Sequence, residues 1–326
     1  MNVVVRWLEP FRKVARTPAV KRMLLRTPIL KNYLDPEPNY HEGSVLSNRL
    51  GLQVWRTLEH RLYRAFRQHE PPAALKEQAE MLDRDGLLIW PNFLDDADFA
   101  KVRGEYEHLM ADVPLKTLRE FPGGRLRQAS PRLNKQQEAA CPTATRCLKE
   151  NRAILDLAAT ALKSTFSRLP TMSFYRLRLV EPESYDNDIE NILHSDLHRP
   201  TIKAFFYLHD VEDGAFVFAK GTHRVTLARL RYEYEMACRE AKKRRGDQIA
   251  AELLEKRGEF YRNIISPRAR QEMQVVEQPV PARANTLVMA NTMGFHRRGA
   301  FTQPGSERRS ILVNFRVMER ERFSIL

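Results

Sequence analysis

His194-Ser195-Asp196-Leu197-His198-Arg199-Pro200 places two histidines and a carboxylate within five positions, just ahead of a run of strand-forming residues. On an extended chain alternate side chains share a face, so His194 and Asp196 project together while Ser195 points away. An imidazole and a carboxylate on one face admit three readings: two members of a metal triad, an acid/base pair, or a polar turn. The metal reading needs a third ligand from elsewhere. His296, which comes after the strand-like run NTLVMANT and lies 102 residues beyond His194, is the candidate. Two imidazoles and one carboxylate leave one face of an octahedral ion open, the arrangement non-haem Fe(II) oxygenases use. A closed structural zinc site would want a fourth ligand, usually cysteine. The three cysteines, Cys141, Cys147 and Cys238, do not have that spacing.

By itself the His-x-Asp pair is most economically a turn, and its weight comes from residues further along the chain. Arg308 lies twelve residues after His296 at the start of another strand-like run, and Arg308 and Ser310 share a strand face. A guanidinium fork matches a carboxylate in two-pronged fashion, and a hydroxyl adds a further bond. That combination suits the distal carboxylate of a 2-oxo acid whose other end chelates iron. A one-residue slip in strand phase would put Arg309 in place of Arg308. His198 and His209 are read as lying outside the ligand set. Tyr175, Arg176 and Arg178 either line the pocket or face solvent, and Asn291 is a strand-end polar residue or a helper to the co-substrate.

Three blocks, LDRDGLLIWPNFLDDADFAKV (82–102), HSDLHRPTIKAFFYLHDVEDGAFVFAKGTHR (194–224) and FHRRGAF with ERRSILVNFR (295–301 and 307–316), resemble the phytanoyl-CoA dioxygenase-like iron(II)/2-oxoglutarate oxygenases. The likeness runs from roughly residue 80 to 320, and the middle block is its most specific part. The resemblance implies a double-stranded β-helix, a jelly-roll or cupin-like barrel. It implies that His194, Asp196 and His296 hold iron(II) and that Arg308, assisted by Ser310, holds the far carboxylate of 2-oxoglutarate. It also sets Phe205 beside that co-substrate. The implied reaction is hydroxylation of an unactivated C–H bond with release of succinate and carbon dioxide. One departure is Lys220, which stands where the family's turn usually opens with proline; with His223 and Arg224 it makes that turn basic.

The elements that must position these residues can be read from periodicity. Short strands are predicted over 87–93, 172–180, 201–211, 215–219, 285–292 and 308–317, the second to fourth forming an antiparallel meander with a turn at Asp213-Gly214. Asp95 and the acids after it predict a capped helix beyond the first strand. Residues 225–275 switch to helical, charged periodicity and read as an insertion able to form a lid. Residues 35–51 read as a linker, and 52–69 as a helix with Trp55, Leu58, Leu62 and Phe66 on one stripe. The fold class is a mainly β core with α additions. A basic helical extension (1–75) precedes an oxygenase domain (76–326) carrying the insertion.

The chain has 326 residues and a net charge of +13, and residues 1–34 carry eight Lys/Arg against one Glu, a net of +7. A basic surface of this kind suits an anionic partner. An anionic or lipid-linked small-molecule substrate is therefore expected, and residues 1–34 read either as an amphipathic patch on an anionic membrane or as an arm docked on the main domain. The KKRR run at 242–245 is read as a solvated helix face. No aromatic-interleaved or helix-turn-helix pattern accompanies the charge, which argues against nucleic acid. No apolar run long enough to span a bilayer occurs, no signal peptide is recognisable, and three sparse cysteines suit a reducing cytoplasm, with contact at the membrane surface. The competing reading is a non-catalytic lipid- or polyanion-binding protein on an oxygenase scaffold.

Overall fold

The computed structural model describes residues 45–55, 57–58, 70–117, 126–163, 170–179, 192–196, 200–243, 264–303 and 305–316. The predicted amphipathic patch at 1–34 lies outside the described residues. In chain order the principal elements are helices α1 (Val45–Arg49) and α2 (Lys76–Asp85), strand β1 (Leu87–Trp90), helix α3 (Asp96–Met110), and strands β2 (Lys116–Thr117) and β3 (Leu126–Ala129). Helix α4 (Arg152–Leu162) leads into β4 (Thr171–Leu179), β5 (Thr201–Tyr207) and β6 (Val211–Phe218). Helices α5 (Leu227–Lys243) and α6 (Pro267–Glu272) precede β7 (Gln278–Ala282), β8 (Thr286–Asn291), β9 (His296–Arg298) and β10 (Glu307–Arg316).

The strands form two antiparallel sheets, β1-β8-β5-β10-β4-β3-β2 and β7-β6-β9. The extended segment at 192–196 joins the smaller sheet, since His194 bridges His296. From β4 onward the chain alternates sheets: β4 large, 192–196 small, β5 large, β6 and β7 small, β8 large, β9 small, β10 large. This is the double-stranded β-helix, and it is not the expected meander: β4 and β5 are both paired to β10 rather than to each other. Short-range strand signals cannot show such pairing, because the partner arrives a hundred residues later. The expected turn at Asp213-Gly214 also falls inside β6. Gly214 (φ +68°) occupies a bulge there, where the register with β7 shifts.

The inner and outer faces of the large sheet are separated by strand period. On β5, Ile202, Ala204 and Phe206 face outward and are buried with α2, α3 and α4 in the main apolar core. Phe206 alone contributes about 2–3 kcal/mol through such burial. Phe205 and Tyr207 face inward and pack with Phe216 and Phe218 of the opposite sheet. On β10, Ile311, Val313 and Phe315 join the outer core, which leaves Arg308 and Ser310 on the inner face. Local chemistry sets the helix ends that hold this layer. Asp95 caps α3 by accepting a 2.7 Å bond from the Asp98 amide. Helix α2 stops at Gly86 (φ +74°), where a Cβ would also strike His223.

Part of the segment expected to be a linker is helical: α1 docks on α5, and buried Asn48 donates from Nδ2 to the Ala237 carbonyl at 3.0 Å. The following helical residues bury Gln53 and Thr57, whereas Trp55, at the start of the apolar stripe, is 51% exposed. The side that is buried instead carries polar groups, with the Gln53 amide 3.4 Å from Glu233. Leu62 and Phe66 lie outside the described residues.

Candidate metal centre

Register builds the site. His194 and His296 face each other across an antiparallel bridge, exchanging backbone bonds of 3.0 and 2.8 Å, and the Asp196 amide donates to the Thr292 carbonyl at 3.0 Å. The three side chains then converge. One ligand atom from each of His194, Asp196 and His296 lies within 4.8 Å of the others, a group that could hold a metal ion. Each imidazole Nδ1 is held by a carbonyl two residues upstream: His194 by Ile192 at 2.7 Å, His296 by Gly294 at 2.9 Å. Those bonds place the proton on Nδ1 and leave Nε2 as a lone pair, the tautomer a metal requires. The His296 Nε2 lies 3.7 Å from the Asp196 Oδ1.

Electrostatics agree with that chemistry. Burial lowers the His296 pKa to about 3, and it lowers that of His194 as well, so both rings are neutral near pH 7. Burial pushes the Asp196 carboxyl up, but the Lys203 ammonium, joined by the two imidazoles at the acid pH where they are protonated, outweighs it and holds the group well below the usual carboxylate range. Lys203 reaches in from β5 with its Nζ 2.6 Å from the Asp196 Oδ2. Two neutral nitrogens and one anionic oxygen are a fitting donor set for a divalent cation.

Further along the inner face of the large sheet, Arg308 donates from Nη1 to the Gly214 carbonyl at 2.9 Å, tying it to the β6 bulge. Burial lowers its pKa, with the nearby phenols of Tyr207 and Tyr175 acting in the opposite sense. It nevertheless remains a cation. Buried Ser310 is paired with Tyr207 on one side and Tyr175 on the other. Arg309 takes the outer face, pairing with Glu107 of α3 at 2.7 Å and with Glu307. Phe205 stacks toward Phe216 with centroids 5.2 Å apart, and Phe216 lies 5.7 Å from the His296 ring.

Behind the ligands sits Arg229 of α5, fully buried. Its guanidinium pairs with Glu233 at 2.8 Å and donates to the carbonyls of Thr222 (3.0 Å) and Met293 (2.8 Å). It also approaches the Ser195 hydroxyl at 3.5 Å and lies over the Phe295 ring at 4.8 Å. One side chain thus touches the segments carrying all three candidate ligands. The start of the insertion is therefore a buttress; lifting it as a lid would expose a buried ion pair.

No protein-family model matches the chain, and no curated protein matches it. Among solved structures it is similar to the epimerase SnoN from nogalamycin biosynthesis in complex with Fe3+, alpha ketoglutarate and nogalamycin RO, at 18% identity and a TM-score of 0.45, covering 75% of this chain and 84% of that one. HygX from Streptomyces hygroscopicus, with nickel, 2-oxoglutarate and hygromycin B bound, shows 18% identity over 74% of this chain and 86% of that one, at a TM-score of 0.39. EctD from S. alaskensis with bound Fe shows 14% identity over 74% and 76%, at a TM-score of 0.43.

The remaining sequence candidates separate cleanly. His209 binds the Glu307 carbonyl through Nε2 at 2.8 Å, away from the ligand set, while His198 lies outside the described residues. The Asn291 Oδ1 accepts the Met293 amide at 3.3 Å and so shapes the turn into His296. Tyr175 stands opposite Ser310 on the inner face, whereas Arg176 pairs with Glu307 and Arg178 is exposed. The basic turn is partly structural: His223 is buried on the Asp83 carbonyl at 3.0 Å, and the Thr222 hydroxyl accepts the Phe295 amide at 2.8 Å. Sequence reasoning missed Lys203, Tyr207 and Arg229. A lysine or tyrosine at odd positions of TIKAFFY was the available signal for the first two. Arg229 was hidden in a stretch read only as a charged helical insertion.

Proposed function

We propose that the chain is an iron(II)- and 2-oxoglutarate-dependent oxygenase of phytanoyl-CoA dioxygenase-like type that hydroxylates an unactivated C–H bond of an anionic or lipid-linked small molecule. The observation that carries this reading is the convergence of two Nε2 lone pairs and one carboxylate inside a barrel that also presents Arg308 inward. His194, Asp196 and His296 would hold the iron, which when bound supplies oxidative decarboxylation of the co-substrate coupled to C–H oxidation. Arg308 and Ser310 would bind the far carboxylate and fix its direction, with Phe205 excluding water beside it. The buried, apolar ring formed by Phe216 and Phe218 keeps the reacting centre dry. The basic excess supports an anionic substrate and contact with a membrane surface through residues 1–34, and the sparse cysteines support a cytoplasmic location. Among the described residues no helix is long and apolar enough to cross a membrane.

The test is aerobic incubation of the metal-loaded protein with 2-oxoglutarate and ascorbate, following succinate. Slow succinate release without added substrate is expected, abolished by His194→Ala and by Asp196→Ala. Absence of succinate across candidate substrates, from protein shown to contain iron, would overturn the reading.

A further inference from the structure

Lys203 stands apart from the ligand set yet touches it. Its Nζ lies 2.6 Å from the Asp196 Oδ2, while the other oxygen, Oδ1, is the one that faces His296 at 3.7 Å. Both side chains are largely enclosed, at 19% and 17% exposure. The lysine is on the inner face of β5 between Ala290 of β8 and Asn314 of β10, and the small alanine leaves its stem room to reach the carboxylate. Resting on the metal-centre reading above, we propose that Lys203 is a built-in counter-cation that makes Asp196 a one-oxygen ligand and sets the charge of the centre.

That placement has two physical consequences. An oxygen engaged by an ammonium at 2.6 Å has one lone pair committed and less negative charge to offer, so Oδ1, the oxygen facing His296, becomes the better donor to the ion. The ammonium also cancels the carboxylate charge, so the donors present a net charge of zero to a divalent ion where an unaided His-Asp-His set presents −1. The ion is then held more loosely, and the centre as a whole is more positive toward an incoming anion. In an enclosed site such charge differences are screened far less than in water. Lys203 is thus a positioning residue that lowers metal affinity and favours anionic co-substrate, the opposite of what a group that merely shapes the carboxylate would do.

The experiment uses the full chain stripped of metal, titrated with Co(II) and followed by its visible absorption, then with 2-oxoglutarate. Lys203→Met keeps an unbranched stem without charge, and Lys203→Arg keeps the charge. Lys203→Met is expected to bind Co(II) at least tenfold more tightly, to alter the Co(II) spectrum as the second carboxylate oxygen becomes available, and to bind 2-oxoglutarate at least tenfold more weakly. Lys203→Arg is expected to stay within a fewfold of the parent. The metal-free Lys203→Met protein should melt lower than the parent, with a larger rise on adding Co(II). If Lys203→Met binds Co(II) as the parent does or more weakly, while Asp196→Ala abolishes binding, the Lys203 proposal falls and the metal centre stands. If the parent itself fails to bind Co(II), both fall.

Discussion

Arg308 and Arg309 are neighbours in sequence with opposite surroundings. The first is enclosed inside the barrel and bonded to the Gly214 carbonyl; the second lies outside between Glu107 and Glu307. Strand period enforces that division, because adjacent side chains on β10 cannot share a face. Arg308→Gln is expected to raise the KM for 2-oxoglutarate by about a hundredfold, the scale of a lost charge-assisted two-pronged contact. Arg308→Lys should recover little of this, since a point-like ammonium cannot reproduce the fork. Arg309→Gln should leave the KM unchanged and lower stability by under about 1 kcal/mol, as for a partly exposed ion pair. Steady-state kinetics on the three variants decide the matter. If Arg309→Gln carries the large effect, the assignment of the inner arginine is wrong.

At the scale of elements, what the sequence made legible depended on whether a signal was local. Strand alternation located β4, β5, β8 and β10 to within a few residues, and the acids after Asp95 marked the start of α3. Pairing was not legible, because β10, which lies between β4 and β5 in the large sheet, follows them by about a hundred residues or more in the chain. The pairing of His194 with His296 belongs to the same class of long-range fact. Helix α5 was expected as a helix, but its buried anchoring was not legible. Its buried stripe, Arg229, Tyr232, Glu233, Met236 and Ala237, has perfect helical spacing but two charged members, so hydrophobic periodicity alone undervalues it. The pair is stable because Arg229 also reaches two carbonyls and an aromatic face. Arg229→Met would remove the buried cation that pairs with Glu233 and is expected to cost about 3–5 kcal/mol of stability. Removing both charges in Arg229→Met/Glu233→Leu should cost less than the single change. Urea unfolding measures both, and a single variant no less stable than the double would show that the pair is not the element's anchor.

At the scale of the whole molecule, the question is where its excess of positive charge acts. Within the described residues many arginines are answered by carboxylates: Arg146 by Asp98, Arg176 by Glu307, Arg268 by Glu272, Arg297 by Glu277. Paired charges of this kind present little field at a distance. Residues 1–34, by contrast, contribute +7 of the net +13. Basic residues held near an anionic bilayer each contribute about 1 kcal/mol of attraction. That attraction fades beyond about 8 Å at physiological salt. The 45–58 stretch is docked on α5 through Asn48 and Gln53, so deleting residues 1–34 leaves its anchor in place and tests the charge rather than the fold. The full chain is expected to co-sediment with vesicles of anionic phospholipid and not with neutral ones, to be released by raised salt, and to lose most of its binding on deletion of 1–34. Unchanged circular dichroism and melting of the deleted chain would show that the loss is electrostatic. Equal binding of the two chains, insensitive to salt, would refute membrane recruitment by this segment and leave the basic charge to the substrate, because a field that neither deletion nor screening removes cannot originate in residues 1–34.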